Sequence, residues 1–385
     1  MTDIYTQLEK ANLLFFEYGI TALDSYFDEK PRPIKFLAVQ CSLIELARAF
    51  ASLEYPGLPY ADASLYDEAR FICSEDALEE DLGNPWMNFR RNPSNGVFYD
   101  KGNIYNSLKL RSIPTLFSES PELERSLFDF TLIPTLFSES PELERSLFDF
   151  TLMATFSEIP PSLPKSLSVP TSPSILLQRD LLVGILSGPY PASGFEVLKQ
   201  SGFIAREWPE IALLDNVDHS KDFHPEGNGW NHTMQTFSYR KNRDLILSLA
   251  LLLHDIGKWE SKSYEGHRFD RHAELGARRA EKFLSRLGFS EEIQKDVKFL
   301  IRYHMMPAAL PTLPIQKTEE LIRDPRFPLL LELFRCDEFS SFKDAERYYD
   351  ACNTYRSICR NLRNPYRKAD GSKVYASRRS DSHFS

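Results

Sequence analysis

The sequence predicts a mainly α-helical protein in which a small α/β region precedes the helices. Three observations predict it. Short β-type runs separated by turn residues fall within residues 1–110. A Pro- and Ser-rich stretch, 159–174, has the composition of a linker. Beyond it, apolar residues recur at helical spacing.

In the first region, 34–39 reads as a strand, 43–53 as a helix, and 70–73 and 96–99 as further short strands. Asn92-Pro93-Ser94-Asn95-Gly96 is turn chemistry. Residues 113–132 then recur unchanged at 133–152, and 153–158 begin a decayed third copy. Solenoids stack divergent copies, so one perfect copy reads as a recent duplication, expected to be an inserted surface segment outside the core. After the linker, 243–253 reads as a buried helix. Ala273, Ala277, Ala280, Phe283, Leu284 and Leu287 form a second helical stripe, ended by Gly288. Ser290 is placed to cap the next helix, with Glu291 and Glu292 in its first turn and Pro307 after its end. A last core helix spans about 329–338, and the basic, Ser-rich tail after Asn364 reads as disordered. The expected organisation is therefore 1–112, a small α/β region; 113–175, the duplication and linker; 176–345, a helical domain; and 346–385, a C-terminal helix and basic tail.

The chain has 385 residues, enough for two or three domains, and a hydrophobic content of 42%, enough for real cores. A net charge of −9 argues against a protein that coats nucleic acid through bulk charge, while leaving a local basic patch open. Cys41, Cys73, Cys336, Cys352 and Cys359 are odd in number and form no C-x-x-C pair, so reduced thiols are expected. The N-terminus lacks a basic segment followed by an apolar one. The longest apolar stretch, 245–253, is too short to span a bilayer. These features predict a soluble, cytoplasmic protein with no membrane partner.

Of eight histidines, seven fall between His219 and His304. His254 follows Leu251, Ala250 and Leu247 by three, four and seven residues, which places it on the buried stripe of its helix. His304 follows Ile301, Leu300 and Val297 by the same intervals, and Asp337 follows Phe334, Leu333 and Leu330. A carboxylate on an inward stripe is costly unless paired or metal-bound. One such residue is more often a hydrogen-bonded core group. Three of them, beside the adjacent pair His254-Asp255, point to a shared metal site. Mixed imidazole and carboxylate donors suit a divalent cation such as Mn, Fe, Co, Ni or Mg. Cys336 neighbours Asp337 but is turned about 100° away on a helix.

His232-Thr233, then Leu252-Leu253-His254-Asp255-Ile256-Gly257-Lys258, then His272-Ala273-Glu274-Leu275-Gly276, then Tyr303-His304-Met305 and Cys336-Asp337 resemble the HD superfamily of metal-dependent phosphohydrolases. The flanks Gly194-Phe195-Glu196-Val197-Leu198, Trp208-Pro209-Glu210 and His224-Pro225-Glu226-Gly227-Asn228 are similar to the HD region of the tRNA nucleotidyltransferase and poly(A) polymerase family. The resemblance covers roughly residues 176–345 and implies an all-helical HD domain. It implies a metal held by His232, His254, Asp255 and Asp337, with His272 and His304 binding a second metal or phosphate oxygens. Asp255 and Lys258 are the implied catalytic residues, and Lys258, His272 and His304 the implied substrate contacts. Lys258 suits a phosphate contact and a salt bridge equally. The implied partners are a nucleotide or an RNA-end phosphate, such as a 2′,3′-cyclic phosphate, with tRNA or another RNA as the larger partner.

That family carries a nucleotidyltransferase head, whose chemistry uses a Gly-Gly turn and two closely spaced carboxylates. This chain has neither a Gly-Gly dipeptide nor an Asp-x-Asp. Residues 90–100 faintly resemble the later part of such a head, so the α/β region is expected to be a degenerate, inactive one. The leading expectation is a metal-dependent phosphohydrolase. The alternatives are a non-catalytic RNA- or nucleotide-binding protein that retains the HD pocket and, less favoured, an active tRNA nucleotidyltransferase. Trp230 and Trp259 are expected in the core, His224 as a structural or rim residue, and His219 and His267 at the surface.

Overall fold

The computed structural model describes residues 3–82, 87–101, 104, 141–160, 173–217, 227–261, 271–341 and 345–374, with side chains in the helix that starts at Pro141 described from residue 147. The protein is mainly α-helical, with one small sheet near its N-terminus. Two compact units are formed. The first comprises Met1–Ala212, Lys241–Ser248 and Leu284–Phe289, and the second Leu213–Arg240, Leu249–Phe283 and Ser290–Ser385. Residues 176–212 thus group with the sheet-bearing unit.

The first unit opens with α1 (Ile4–Lys10), β1 (Leu14–Tyr18), α2 (Gly19–Tyr26), β2 (Lys35–Gln40), α3 (Leu43–Ala49), β3 (Ala63–Leu65), β4 (Ala69–Ser74), β5 (Phe89–Arg91) and β6 (Phe98–Asp100). The strand order is β3-β4-β2-β1-β5-β6. Only β2 and β4 run parallel; Leu37 lies opposite Phe71 there, and the other pairs are antiparallel. Phe15, Leu37, Val39 and Phe71 line one sheet face, and Leu8, Leu46 and Phe50 complete that core. α3 stops four residues short of the expected helix, at Ala49. Its start is fixed by a capping box in which Ser42 and Glu45 each bond the other's backbone N–H.

The duplication departs from expectation. The second copy is not an unpacked surface insert: α4 (Pro141–Ala154) runs through it, and Leu147, Phe148, Phe150 and Leu152 are buried. Phe148 stacks on Tyr60 with ring centroids 4.0 Å apart. α4 also packs on α5 (Ile175–Ser187) and α6 (Pro191–Gln200), where Gly184 leaves room for Leu152. An amphipathic helix with such a partner gains far more from burial than from remaining on the surface. The first copy lies outside the described residues. α7 (Phe203–Glu207) and α8 (Pro209–Ala212) close this part of the chain.

The second unit is helical. It contains α9 (Gly229–Thr236), the end of α10 (Leu245–Leu253), most of α11 (His272–Arg286), α12 (Glu291–Tyr303), α13 (Met306–Ala309), α14 (Ile315–Arg323), α15 (Phe327–Phe339) and α16 (Glu346–Arg363). Ser290 caps α12 by accepting the Ile293 N–H. α15 is central and packs on α9, α12, α14 and α16. The tail is not wholly disordered: residues 365–374 fold back on α16, with Ala369 buried and its carbonyl bonded by Asn361. No helix among the described residues is long and apolar enough to cross a membrane.

Candidate metal centre

Five segments of the second unit deliver the candidate ligands. Asn228 caps α9 by accepting the Asn231 N–H at 2.9 Å, and His232 lies one turn into that helix. His254 and Asp255 follow the last residue of α10. His272 opens α11, His304 caps the end of α12, and Asp337 lies in the last turn of α15. The inward stripes are all buried: Leu247, Ala250 and Leu251; Val297, Leu300 and Ile301; Leu330, Leu333 and Phe334. Each stripe carries its polar residue into the same interior.

Two glycines allow the turn after α10 to meet the start of α11. A Cβ on Gly257 would overlap the His272 carbonyl oxygen and the Gly276 amide nitrogen. A Cβ on Gly276 would sit 3.3 Å from the His254 carbonyl oxygen. The spacing of Gly257 and Gly276 therefore sets how closely His272 approaches His254-Asp255.

The six side chains converge. His232 Nε2 lies 3.0 Å from Asp337 Oδ1 and 3.8 Å from Asp255 Oδ2. His254 Nε2 is 3.3 Å from Asp255 Oδ2 and 3.9 Å from Asp337 Oδ1. On the other side of Asp255, its Oδ1 is 3.8 Å from His272 Nε2, which faces His304 Nε2 at 3.1 Å. Two groups with metal-ligand spacing result, one of His232, His254 and Asp255 and one of Asp255, His272 and His304, with Asp255 common to both. Metal–ligand bonds of about 2.1 Å place neighbouring donors about 3 Å apart, close to these separations.

The outer partners of the imidazoles test this fit. His254 Nδ1–H donates to the Leu251 carbonyl at 2.9 Å, and His304 Nδ1–H to the Ile301 carbonyl at 2.7 Å. Ser340 spends its only hydroxyl proton on the Asp337 carbonyl at 2.8 Å, so its oxygen accepts from His232 Nδ1–H at 3.3 Å. In all three rings the lone pair is thus left on Nε2, turned toward the carboxylates. His254 Nε2 is buried and makes no hydrogen bond. A lone pair and a carboxylate oxygen at such range repel unless a cation lies between them, and second partners of this kind are what orient metal-bound histidines.

Charge follows the same logic. Burial, reinforced by His272 and His254 in their cationic forms, pushes His304 down to about 3 against the pull of Asp255 and Asp337. Burial alone would raise Asp337, but the hydrogen bond from His232 and the charges of His254 and His232 hold it well below the usual carboxylate range. Asp255 is also held low: burial opposes, while His254 and Lys258 prevail. Neutral imidazole beside ionised carboxylate is the form a divalent cation binds.

Lys258 Nζ sits 2.6 Å from Asp255 Oδ2. The side chains of Lys258 and His272 are each 12% exposed and that of Asp337 is 18%, whereas His232 and His254 are sealed. The centre is therefore open along the Lys258, His272 and Asp337 side. Trp230 is buried, but Trp259 is 50% exposed, contrary to the core position expected for it: it sits in the turn beyond α10 rather than on a helix stripe. His219, His224 and His267 lie outside the described residues. Ser340 escaped the sequence reading, although its position three residues after Asp337 places it on the same helical face.

These ligand positions define an HD domain: residues 227–338 match the model of that family, and the chain carries it. The chain is similar to the multifunctional CCA protein of Dechloromonas aromatica, 32% identical over 171 residues, or 42% of this chain and 41% of that protein. It is also similar to the CC-adding tRNA nucleotidyltransferase of Thermus thermophilus, 30% identical over 135 residues, or 33% of this chain and 31% of that one. The chain thus spans well under half the length of these relatives. Among solved structures, a tRNA-processing enzyme aligns over 92% of this chain and 95% of its own, at 12% identity and a TM-score of 0.38.

Proposed function

We propose that the HD domain is a metal-dependent phosphohydrolase acting on a nucleotide or an RNA-end phosphate. The observation that carries this reading is the trio of imidazoles whose Nδ1 protons are taken by Leu251, Ile301 and Ser340, leaving Nε2 lone pairs around two carboxylates. His232, His254, Asp255 and Asp337 would hold one divalent cation, of the Mn, Fe, Co, Ni or Mg type. His272 and His304, with Asp255, would take a second cation or the phosphate oxygens. When bound, the metal supplies Lewis acidity that makes water a nucleophile near neutral pH. Lys258 stays on Asp255 until a cation claims that carboxylate. Its ammonium then turns to the phosphate and steadies charge as it develops there.

Metal analysis of the purified protein, followed by a phosphoesterase screen with each metal restored, tests the reading. The substrates are bis-p-nitrophenyl phosphate, nucleoside 2′,3′-cyclic phosphates and 3′-phosphorylated RNA. Asp255→Ala is expected to lose metal and activity together while staying folded, and Lys258→Ala to lose activity but keep metal. Wild-type turnover and metal content in Asp255→Ala would remove the assignment and favour a non-catalytic binding role.

The names of the relatives favour a second reading, nucleotide addition to tRNA. Against it, Glu17 on β1 and Asp100 on β6 are the only carboxylates on the described strands, and β5 lies between them. Glu17 is already bound by Tyr5, Ser25 and Arg91. Incubation with ATP, CTP and tRNA separates the two readings. No nucleotide incorporation is expected.

A further inference from the structure

A small basic cavity of about 160 Å³ lies between α11 and α12, lined by Glu274, Ala277, Arg278, Lys298 and Arg302. Three cations face one carboxylate there, in a chain whose net charge is −9. Arg278 and Arg302 are exposed, and neither has a carboxylate within salt-bridge distance among the described residues. Glu274 is turned to Arg271 at 3.0 Å, and Lys298 rests on Glu281 at 2.7 Å in a half-exposed pair that costs little to reopen. Buried Ala277 forms a short floor that leaves the guanidinium forks uncovered.

We propose that this cavity is a phosphate subsite that holds the backbone of an RNA strand whose end lies at the metal centre. The inference rests on the hydrolytic reading above and extends it to a polymeric substrate. Two guanidinium forks match the oxygens of a phosphodiester. The cavity is smaller than the roughly 300 Å³ at which small-molecule pockets begin, so it takes one group of a larger ligand rather than a whole nucleotide. Its position says which larger ligand. Glu274 follows His272 by two residues, and Arg302 precedes His304 by two. Two residues turn a helix by about 200°, so the cavity lies around α11 and α12 from the centre, about one helix diameter (~10 Å) away. An extended chain of phosphates reaches both places.

The test uses the full-length, metal-loaded protein and a fluorescein-labelled 12-nucleotide single-stranded RNA, with anisotropy read from 50 to 200 mM KCl. Arg278→Gln/Arg302→Gln is expected to weaken binding at least fivefold. It should also flatten the slope of log Kd against log salt by about one unit, for two lost contacts. Metal content and melting temperature should match wild type. If the double variant melts early, Arg278→Lys/Arg302→Lys takes its place, with the salt slope retained and affinity reduced. Equal RNA affinity and salt slope in wild type and variant would overturn the subsite. Titration with inorganic phosphate and ATP distinguishes the source: arginine-dependent binding of either, with no RNA binding, would overturn the RNA assignment. If the wild type hydrolyses no phosphoester yet binds RNA through these arginines, hydrolysis fails and the subsite stands.

Discussion

Ser340 touches no candidate ligand position directly exposed to substrate, yet it fixes two of them. Its oxygen accepts from His232 Nδ1–H while its proton goes to the Asp337 carbonyl. Ser340→Ala removes an acceptor without opening a large cavity, so the fold should stand. Without that acceptor His232 is free to take the other tautomer, with its proton on the metal side. Metal affinity is expected to fall about 10- to 100-fold, read by calorimetric titration into metal-free protein, with little change in melting temperature. His304 sets the pH dependence. Its folded value is depressed from 6.5 to about 3. The folded state therefore binds fewer protons than the unfolded chain between those values, and stability is present above about 6.5 and lost as pH falls toward 3. Metal-free protein should melt progressively earlier as pH drops through that window. Metal retained after dialysis should fall in the same direction, because protons compete for the imidazoles. Flat melting temperatures from pH 7 to pH 4.5 would contradict the buried, neutral His304.

At the scale of elements, the turn after α10 and the start of α11 meet through glycine. Gly257→Ala forces a methyl group into the His272 carbonyl and Gly276 amide, both backbone atoms that cannot swing aside. A loss of about 1–3 kcal/mol is expected from such overpacking, seen in urea denaturation. Metal binding should weaken as well, because His272 is displaced from Asp255. The helical stripes ending in His254, His304 and Asp337 were legible in the sequence, since burial and period agree along each helix. β1, β3 and β5 were not. Strands of three to five residues carry too little alternation to register, and what stabilises them is pairing with distant segments. The Gly257–Gly276 contact was visible only as two motif glycines, and its cause needed the packed pair of segments.

For the whole molecule, the duplication is the feature that sequence reasoning misjudged most. Composition is identical in both copies, so nothing local distinguishes a packed segment from an unpacked one. Contacts with Tyr60, α5 and α6 decide it for the second copy. Phe148→Ala should cost about 3–5 kcal/mol in the first unit, measured by denaturation, while metal content of the HD domain stays near wild type. A twenty-residue contraction should behave differently. Because 113–132 and 133–152 are the same string, removing either leaves one and the same polypeptide, in which the surviving copy runs directly into Met153. The residues that build α4 are then all present again, in the same order and followed by the same chain. A gene that slips back by one unit therefore loses length without losing a helix, whereas a single altered codon at Phe148 has no spare to fall back on.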